Sequence, residues 1–216
     1  MQYKTPTEIL EKMIDDNPAL APCKQAMEQA FSIIKGCYKA GGKVLICGNG
    51  GSASDSEHIV GEFMKGFTLR RPLNAKKRAL LTSLYPEDGE YLADNLQGAL
   101  PAISLVSQTA LSSAFINDVA PDMVFAQQVY GYTNKGDVIL GLSTSGNSRN
   151  VVNAVKVGKA LGAKCIAMTG EGNSLLSGLC DTTLRSPAKE TYRVQEYHLM
   201  MYHALCAMVE AEFFDQ

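Results

Sequence analysis

The chain has 216 residues, 46% of them hydrophobic and 19% charged, with a formal net charge of −2; that is enough apolar material for one sizeable core and excludes intrinsic disorder. The near-balanced charge, with Lys76-Lys77-Arg78 as the only dense basic cluster, gives no electrostatic footprint for nucleic acid. No apolar run approaches the ~18 residues of a spanning helix, so no membrane association is expected.

The N-terminal stretch MQYKTPTEILEKMIDD is polar and acidic, which does not fit a secretory leader. A helix is expected over about residues 5–15, with Ile9, Leu10, Met13 and Ile14 on one side, interrupted by Pro18 and Pro22. A second helix, about 26–40, ends at Gly41-Gly42. Val44-Leu45-Ile46-Cys47 reads as a buried strand that runs into Gly48-Asn49-Gly50-Gly51-Ser52 and then a helix to about residue 66. Strand, glycine turn and helix in that order point backbone N–H groups at an anion. Residues 68–100 follow with no obvious strand; short helices are expected near 76–84 and 88–97, and connections this long serve as lids or interface elements. Further strands are expected near 101–106, 137–142, 164–169 and 181–185, and helices near 108–116, 121–132, 148–161 and 191–213. The alternation predicts an α/β fold, a three-layer sandwich with a parallel sheet flanked by helices. One domain is expected over 1–216, with an N-terminal helical segment 1–41 and an inserted connection at about 68–100. Six cysteines lie scattered in apolar surroundings without metal-ligand spacing, as expected of reduced thiols in a cytoplasmic protein.

In an open parallel sheet, ligands bind beyond the carboxyl ends of the strands. Three loops there are built for polar contact: Gly48 to Ser52, Ser143-Thr144-Ser145-Gly146-Asn147-Ser148, and Thr169-Gly170-Glu171-Gly172-Asn173-Ser174. The second has four hydroxyls in six residues and leads into a helix, which suits a phosphate monoester without a lysine; taken alone, it is also what a simple Ser/Asn N-cap looks like. G-x-x-x-x-G-K-[ST] and G-x-G-x-x-G with a downstream acid are both missing, so no nucleotide cofactor is expected. Of the three histidines, His58 stands four residues before Glu62, about 40° apart on one helix, as an acid/base or metal pair or as an ordinary surface contact. The last helix is apolar enough to be buried on several sides. Gln195 and His203 on it are about 80° and ~12 Å apart. His198 points about 140° away from His203, which makes His203 the functional candidate and His198 a core or surface residue.

Taken in order, Gly48-Asn49-Gly50-Gly51-Ser52, His58-x-x-x-Glu62, Asn117-Asp118, Ser143-Thr144-Ser145-Gly146-Asn147-Ser148 and Gln195-Glu196-x-His198-x-x-x-x-His203 resemble the sugar isomerase (SIS) domain family over nearly the whole chain. Within it the resemblance is nearest to the phosphoheptose isomerases, which interconvert sedoheptulose 7-phosphate and glycero-manno-heptose 7-phosphate. The resemblance implies a five-stranded parallel sheet, a phosphorylated sugar as substrate, and a homotetramer with active sites between subunits. By position it makes Glu62 the general base and His203 the general acid. Ser143, Thr144, Ser145 and Ser148 become the phosphate cradle, and Asn49, Gly50, Gly51, Ser52, Asn117, Asp118 and Gln195 further substrate contacts. Some members hold zinc with His, Glu, Gln and His; His58, Glu62, Gln195 and His203 occupy those places, so zinc is an implied cofactor.

The chemistry suits these groups. Aldose–ketose isomerisation passes a proton between C1 and C2 through an enediol, which asks for one carboxylate and a second group serving the oxygens. A zinc ion would take part of that work by stabilising the enediolate. The chain departs from the family pattern in the length of 68–100, in Gln108 and Tyr192 where aspartates are usual, and in Lys65-Gly66 where Gly-Arg is usual. The first three changes fall near where sugar hydroxyls would be read. Two other classes stay open: a non-catalytic SIS module that binds a phosphosugar or the bacterial replication initiator, disfavoured by His203, and a lyase or deaminating isomerase, disfavoured because 216 residues leave no room for extra domains. Met200, Met201, Met208, Phe213 and Phe214 are candidates for subunit contact.

Overall fold

Thr5 opens the first helix with a capping box: its hydroxyl accepts from Glu8 N–H, Glu8 reaches back to the Thr5 amide, and Pro6 fills the first helical position. The computed structural model describes residues 5–214, so the first four residues of the expected N-terminal segment lie outside the described residues. Helix α1 (Pro6–Asp16) is followed by a 3₁₀ segment, Pro18–Cys23, and α2 (Lys24–Lys39). Gly41 then turns the chain at φ +78°, where a side chain would be strained. The rest runs β1 (Val44–Cys47), α3 (Gly51–Met64), α4 (Ala75–Leu84), α5 (Gly89–Asn95), β2 (Ala102–Ser104), α6 (Thr109–Asp118), α7 (Val124–Tyr132), β3 (Val138–Leu142), α8 (Arg149–Ala160), β4 (Lys164–Thr169), α9 (Leu175–Leu179), β5 (Thr182–Arg185) and α10 (Thr191–Phe214). The short α9 was not expected; its five residues are too few to show a helical period.

The five strands form one parallel sheet in the order β2-β1-β3-β4-β5. Alternate residues of β1 enter different cores. Val44 and Ile46 join the layer of α1, α2, α3 and α10, whereas Leu45 and Cys47 join the layer of α7, α8 and α9. That is why the strand reads as a continuous apolar run: both of its faces are covered. The chain passes from β1 to β2 on one side and then crosses back from β2 to β3 on the other side of β1, so the crevice at the carboxyl ends of β1 and β3 is the topological switch point. The loops beginning at Gly48 and Ser143 both start there.

Residues 68–100 form a helical hairpin of α4 and α5. Gly89 sits so close to α4 that an added Cβ would lie 2.5 Å from Thr82 Cα, and Arg78 bridges to Glu90 and Asp94. The base of the hairpin is closed by a bridge between Pro72 and Gln97 and by Gly98 N–H donating to Arg71 O at 2.6 Å. Among the described residues, no helix is long and apolar enough to cross a membrane.

Candidate active site

Helix α3 leaves the switch point at its N-terminus and carries titratable groups along its length. At its start, the close turn demands glycine: a Cβ on Gly48 would lie 2.5 Å from Ser52 O, and Gly50 has φ +58°. Asn49 and Asn150 exchange two amide hydrogen bonds of 2.9 Å and tie the loop after β1 to the start of α8. In the loop after β3, Ser143 Oγ lies 2.9 Å from Ser148 Oγ and 3.5 Å from Ser145 Oγ. Ser148 holds the N-cap position of α8, but its hydroxyl turns to Ser143 rather than capping its own helix. Three hydroxyls and a helix N-terminus therefore converge, an arrangement that accepts a phosphoryl group. The loop after β4 buttresses this one. Ser174 Oγ occupies the space of a Gly146 side chain, Leu175 N–H donates to Asn147 Oδ1 at 2.9 Å, and Gly170 N–H donates to Thr144 O at 2.9 Å.

Other candidates sit elsewhere. Ser52 is 2% exposed and packs against Gly48 in the turn. Gln195 lies against Gly51, where a Cβ would come within 2.6 Å of its Nε2. Asn117 and Asp118 stand exposed in the last turn of α6, with Asn117 Nδ2 donating to Asp118 Oδ1 at 2.8 Å. Among the described residues, no side-chain hydrogen bond or ion pair joins them to the α3–α10 cluster.

Farther along α3, Asp55, His58 and Glu62 recur at helical spacing and face α10. Glu62 is buried, and its Oε1 lies 3.1 Å from His58 Nε2. Its Oε2 has no hydrogen-bond partner among the described residues; the nearest cation, Lys65 Nζ, is 3.8 Å away. His58 Nε2 is also 3.4 Å from His203 Nε2, so one imidazole joins the carboxylate to the other imidazole. On the far side, Tyr202 Oη donates to Asp55 Oδ1 at 3.2 Å and lies 3.0 Å from His58 Nδ1. Which His58 nitrogen carries hydrogen follows from which of these partners Tyr202 serves. Burial pushes the Asp55 carboxyl and the Tyr202 phenol up, holding Tyr202 as a neutral donor. Burial and then the neighbouring His58 lower His203, against an opposing pull from Glu62. His198, on the other side of α10, is fully buried and donates from Nε2 to Thr169 O at 3.2 Å; burial lowers it to about 4. Its core role agrees with the angular argument from the sequence.

A buried ion pair holds this end of α3 in place. Arg71 Nε donates to Glu210 Oε1 at 2.7 Å, and both side chains are inaccessible. The rest of the guanidinium donates to Phe63 O at 2.8 Å and Glu62 O at 2.9 Å, carbonyls at the end of α3 that the helix itself leaves unpaired. Glu210 in turn accepts from the amides of Phe67, Thr68 and Leu69 and from the Thr68 hydroxyl. Burial alone would raise the Glu210 carboxyl; the bonds from Thr68 and Phe67 and the charge of Arg71 outweigh it and hold it below its usual value.

Asp55, Asn150, Tyr202, Arg71 and Glu210 were not singled out from the sequence. Asp55 had a signal, since it precedes His58 by three and shares its face. Arg71 and Glu210 had a weaker one: Glu210 is a charge in an apolar run, but its partner is 139 residues away.

The zinc expectation is corrected. Among the described residues, no group of three or more His, Cys, Asp or Glu side chains could hold a metal ion. The side chains are turned to one another instead: His58 spends its nitrogens on Glu62 and Tyr202, His203 Nε2 faces His58, and Gln195 rests two turns earlier against Gly51. The chemistry below therefore uses protein groups alone.

SIS domain family models match residues 8–95 and 104–210. Among curated proteins, the phosphoheptose isomerase of Clostridium acetobutylicum is 36% identical over 218 residues, covering 100% of this chain and 94% of that protein. That of Aliarcobacter butzleri is also 36% identical, over 88% of this chain and 86% of its own. Among solved structures, a phosphoheptose isomerase from Francisella tularensis superposes with a TM-score of 0.72 at 29% identity, covering 94% of this chain and 93% of that one. The phosphoheptose isomerase from Neisseria gonorrhoeae gives 0.69 at 30% identity, covering 94% of each. With a single parallel sheet, its polar loops at the switch point and relatives matched from end to end, the chain belongs to the SIS domain family and lies close to the phosphoheptose isomerases within it.

Proposed function

We propose that this chain is an aldose–ketose isomerase that interconverts sedoheptulose 7-phosphate and glycero-manno-heptose 7-phosphate. One observation carries the chemistry: a buried carboxylate, Glu62, has one oxygen on His58 and the other free of any hydrogen bond among the described residues, in a cluster that includes His203. In the forward direction Glu62 Oε2 takes a proton from C1 of the ketose, and the electron pair forms the C1–C2 double bond of the enediol. His203 gives a proton to O2 and takes one from O1, while Glu62 returns its proton to C2. Nothing is consumed, and both groups end as they began. A neutral imidazole can serve this role by lending its N–H proton to O2, standing briefly as the imidazolate and recovering a proton from O1, and the lowered pKa of His203 favours the neutral ring as the starting form at pH 7. The hydroxyls of Ser143, Ser145 and Ser148 at the start of α8 hold the 7-phosphate, and Asn49, Asn150 and Gln195 read sugar hydroxyls.

The reading includes a single catalytic domain in the cytoplasm and assembly as a homotetramer. Supporting assembly, an apolar groove of about 380 Å³ runs between α1, α10 and residues 67–69, lined by Ile9, Met13, Met200, Ala204 and His203. A binding-only role would leave the free oxygen of Glu62 and its paired imidazoles without a use.

The test is direct assay of sedoheptulose 7-phosphate conversion, with Glu62→Gln and His203→Gln as variants. Each variant should lose about 10²–10⁴-fold in kcat while the phosphosugar still raises the melting temperature. In heavy water the native enzyme should introduce deuterium at C1 of the recovered ketose, and Glu62→Gln should not. Undiminished turnover in both variants would overturn the reading.

A further inference from the structure

The hairpin of α4 and α5 has no part in the chemistry above, and its outer face is unlike ordinary surface. Helix α4 buries no residue at all. A ten-residue helix is marginal in water without a packed face. Its inner side is spent on α5, through Arg78 to Glu90 and Asp94 and through the close approach of Gly89 to Thr82. The opposite side carries Lys76, Leu80 and Leu84 at intervals of four, a stripe along the helix; Leu80 lies about 200° around the axis from Arg78. Leu80 is 58% and Leu84 61% exposed, and elsewhere on the hairpin Tyr85 and Tyr91 are 54% and 70% exposed.

Charge frames this apolar stripe asymmetrically. Lys76 and Lys77 stand at the base of the hairpin, and Glu87 and Asp88 at its tip. The hairpin's own ion pairs leave all four without an ionic partner among the described residues. Base and tip are ~15 Å apart along α4. A positive base, an apolar middle and a negative tip form a surface complementary to itself under a two-fold rotation. Two hairpins laid antiparallel bring each base to the other's tip and leucine against leucine, the isologous arrangement in which one patch serves both partners.

We propose that the α4–α5 hairpin is a self-association element whose occupant is the hairpin of a second copy of this chain. The contact uses none of the residues offered above for the tetramer and does not depend on the isomerase reading. It is attached to the site all the same: the segment entering the hairpin carries Arg71, which holds the end of α3.

Sedimentation of the full chain over a range of concentrations tests the proposal. Leu80→Lys with Leu84→Lys should raise the dissociation constant between the native assembly and its half-mass species by at least a hundredfold, with an unchanged circular dichroism spectrum because neither residue is buried. Lys76→Glu with Lys77→Glu should weaken association, as should Glu87→Lys with Asp88→Lys. Mixing those two charge variants, or combining all four changes in one chain, should restore it, since each acidic end then meets a basic one. Restoration separates pairing of hairpins from a general loss of folding or solubility. A mass-against-concentration curve for the leucine variant that overlays the native one overturns the proposal, as does failure of the mixed charge variants to associate. An unchanged self-association accompanied by loss of a foreign partner would assign the stripe to that partner instead.

Discussion

The two ends of α3 do different work with different materials. At its N-terminus, contact is made by hydroxyls, side-chain amides and backbone N–H groups in the loops after β1 and β3, with Ser145, Asn49 and Gly50 exposed. No charged side chain is needed there, because a helix start already favours an anion. Two turns farther on, Asp55, His58, Glu62, Tyr202 and His203 form one connected set, and the helix end beneath them is locked by an inaccessible ion pair. A binding end can be assembled from loops, whereas a proton-moving end needs groups whose spacing does not drift. If that division holds, damage to the first end should appear in affinity, and damage to the second in stability and turnover.

The largest expected effect lies at the locked end. Glu210→Gln leaves the Arg71 guanidinium buried without its counter-charge and weakens the set of donors gathered on that carboxylate. Breaking a buried pair in this way costs about 3–5 kcal/mol, read as a fall in the denaturant midpoint. Because Arg71 also holds Glu62 O and Phe63 O, kcat should fall too, even though Glu210 never meets substrate. A variant as stable as the native chain would erase the contrast between the ends. The next effect lies at the open end. Ser148→Ala removes a hydroxyl that does not cap its own helix, so stability should barely change. Loss of a hydrogen bond to a charged phosphoryl group should raise KM for sedoheptulose 7-phosphate about tenfold to a hundredfold and leave kcat nearly intact. A fall in kcat with unchanged KM would mean that the serine acts on the reacting carbons instead.

The same division governs what could be seen in the sequence. The loop after β1 and the loop after β3 are contiguous in the chain, so their glycines, serines and asparagines announced themselves before any fold was known. The strands were equally plain, because a sheet covered on both faces requires unbroken apolar runs such as Val44 to Cys47. His58 and Glu62 were legible as one helical face. Tyr202 was not, since a tyrosine beside a histidine in an apolar helix looks like core, and its role comes from Asp55 and His58 147 and 144 residues away. The Arg71–Glu210 pair is hidden for the same reason: no local period connects a loop arginine to the end of the last helix. Zinc was implied by the family resemblance, position by position, and the orientation of those side chains, turned on one another, is not a property that such a match carries.

Acidity separates the two ends more finely. A phosphate monoester loses its second charge near a pKa of about 6, so KM should begin to rise as the pH falls through that value, reporting the open end. Turnover should follow His203. Burial and the adjacent His58 lower its pKa, so the neutral ring persists when the pH falls past 6.5, the midpoint of an ordinary imidazole, and kcat should decline only below that. Stability moves with the same sign. His198 is lowered to about 4 in the folded chain, whereas an unfolded one titrates near 6.5. Between those values the unfolded state binds the extra proton, so stability is full above the higher value and is lost as the pH falls towards the lower, by about 3 kcal/mol in all. Turnover must therefore be measured where the denaturant midpoint shows the chain still folded. An acid limb of kcat at or above 6.5 in that window would mean that a protonated His203 does not limit the reaction, and the second proton carrier would have to be sought in His58, already bonded to Glu62 at 3.1 Å.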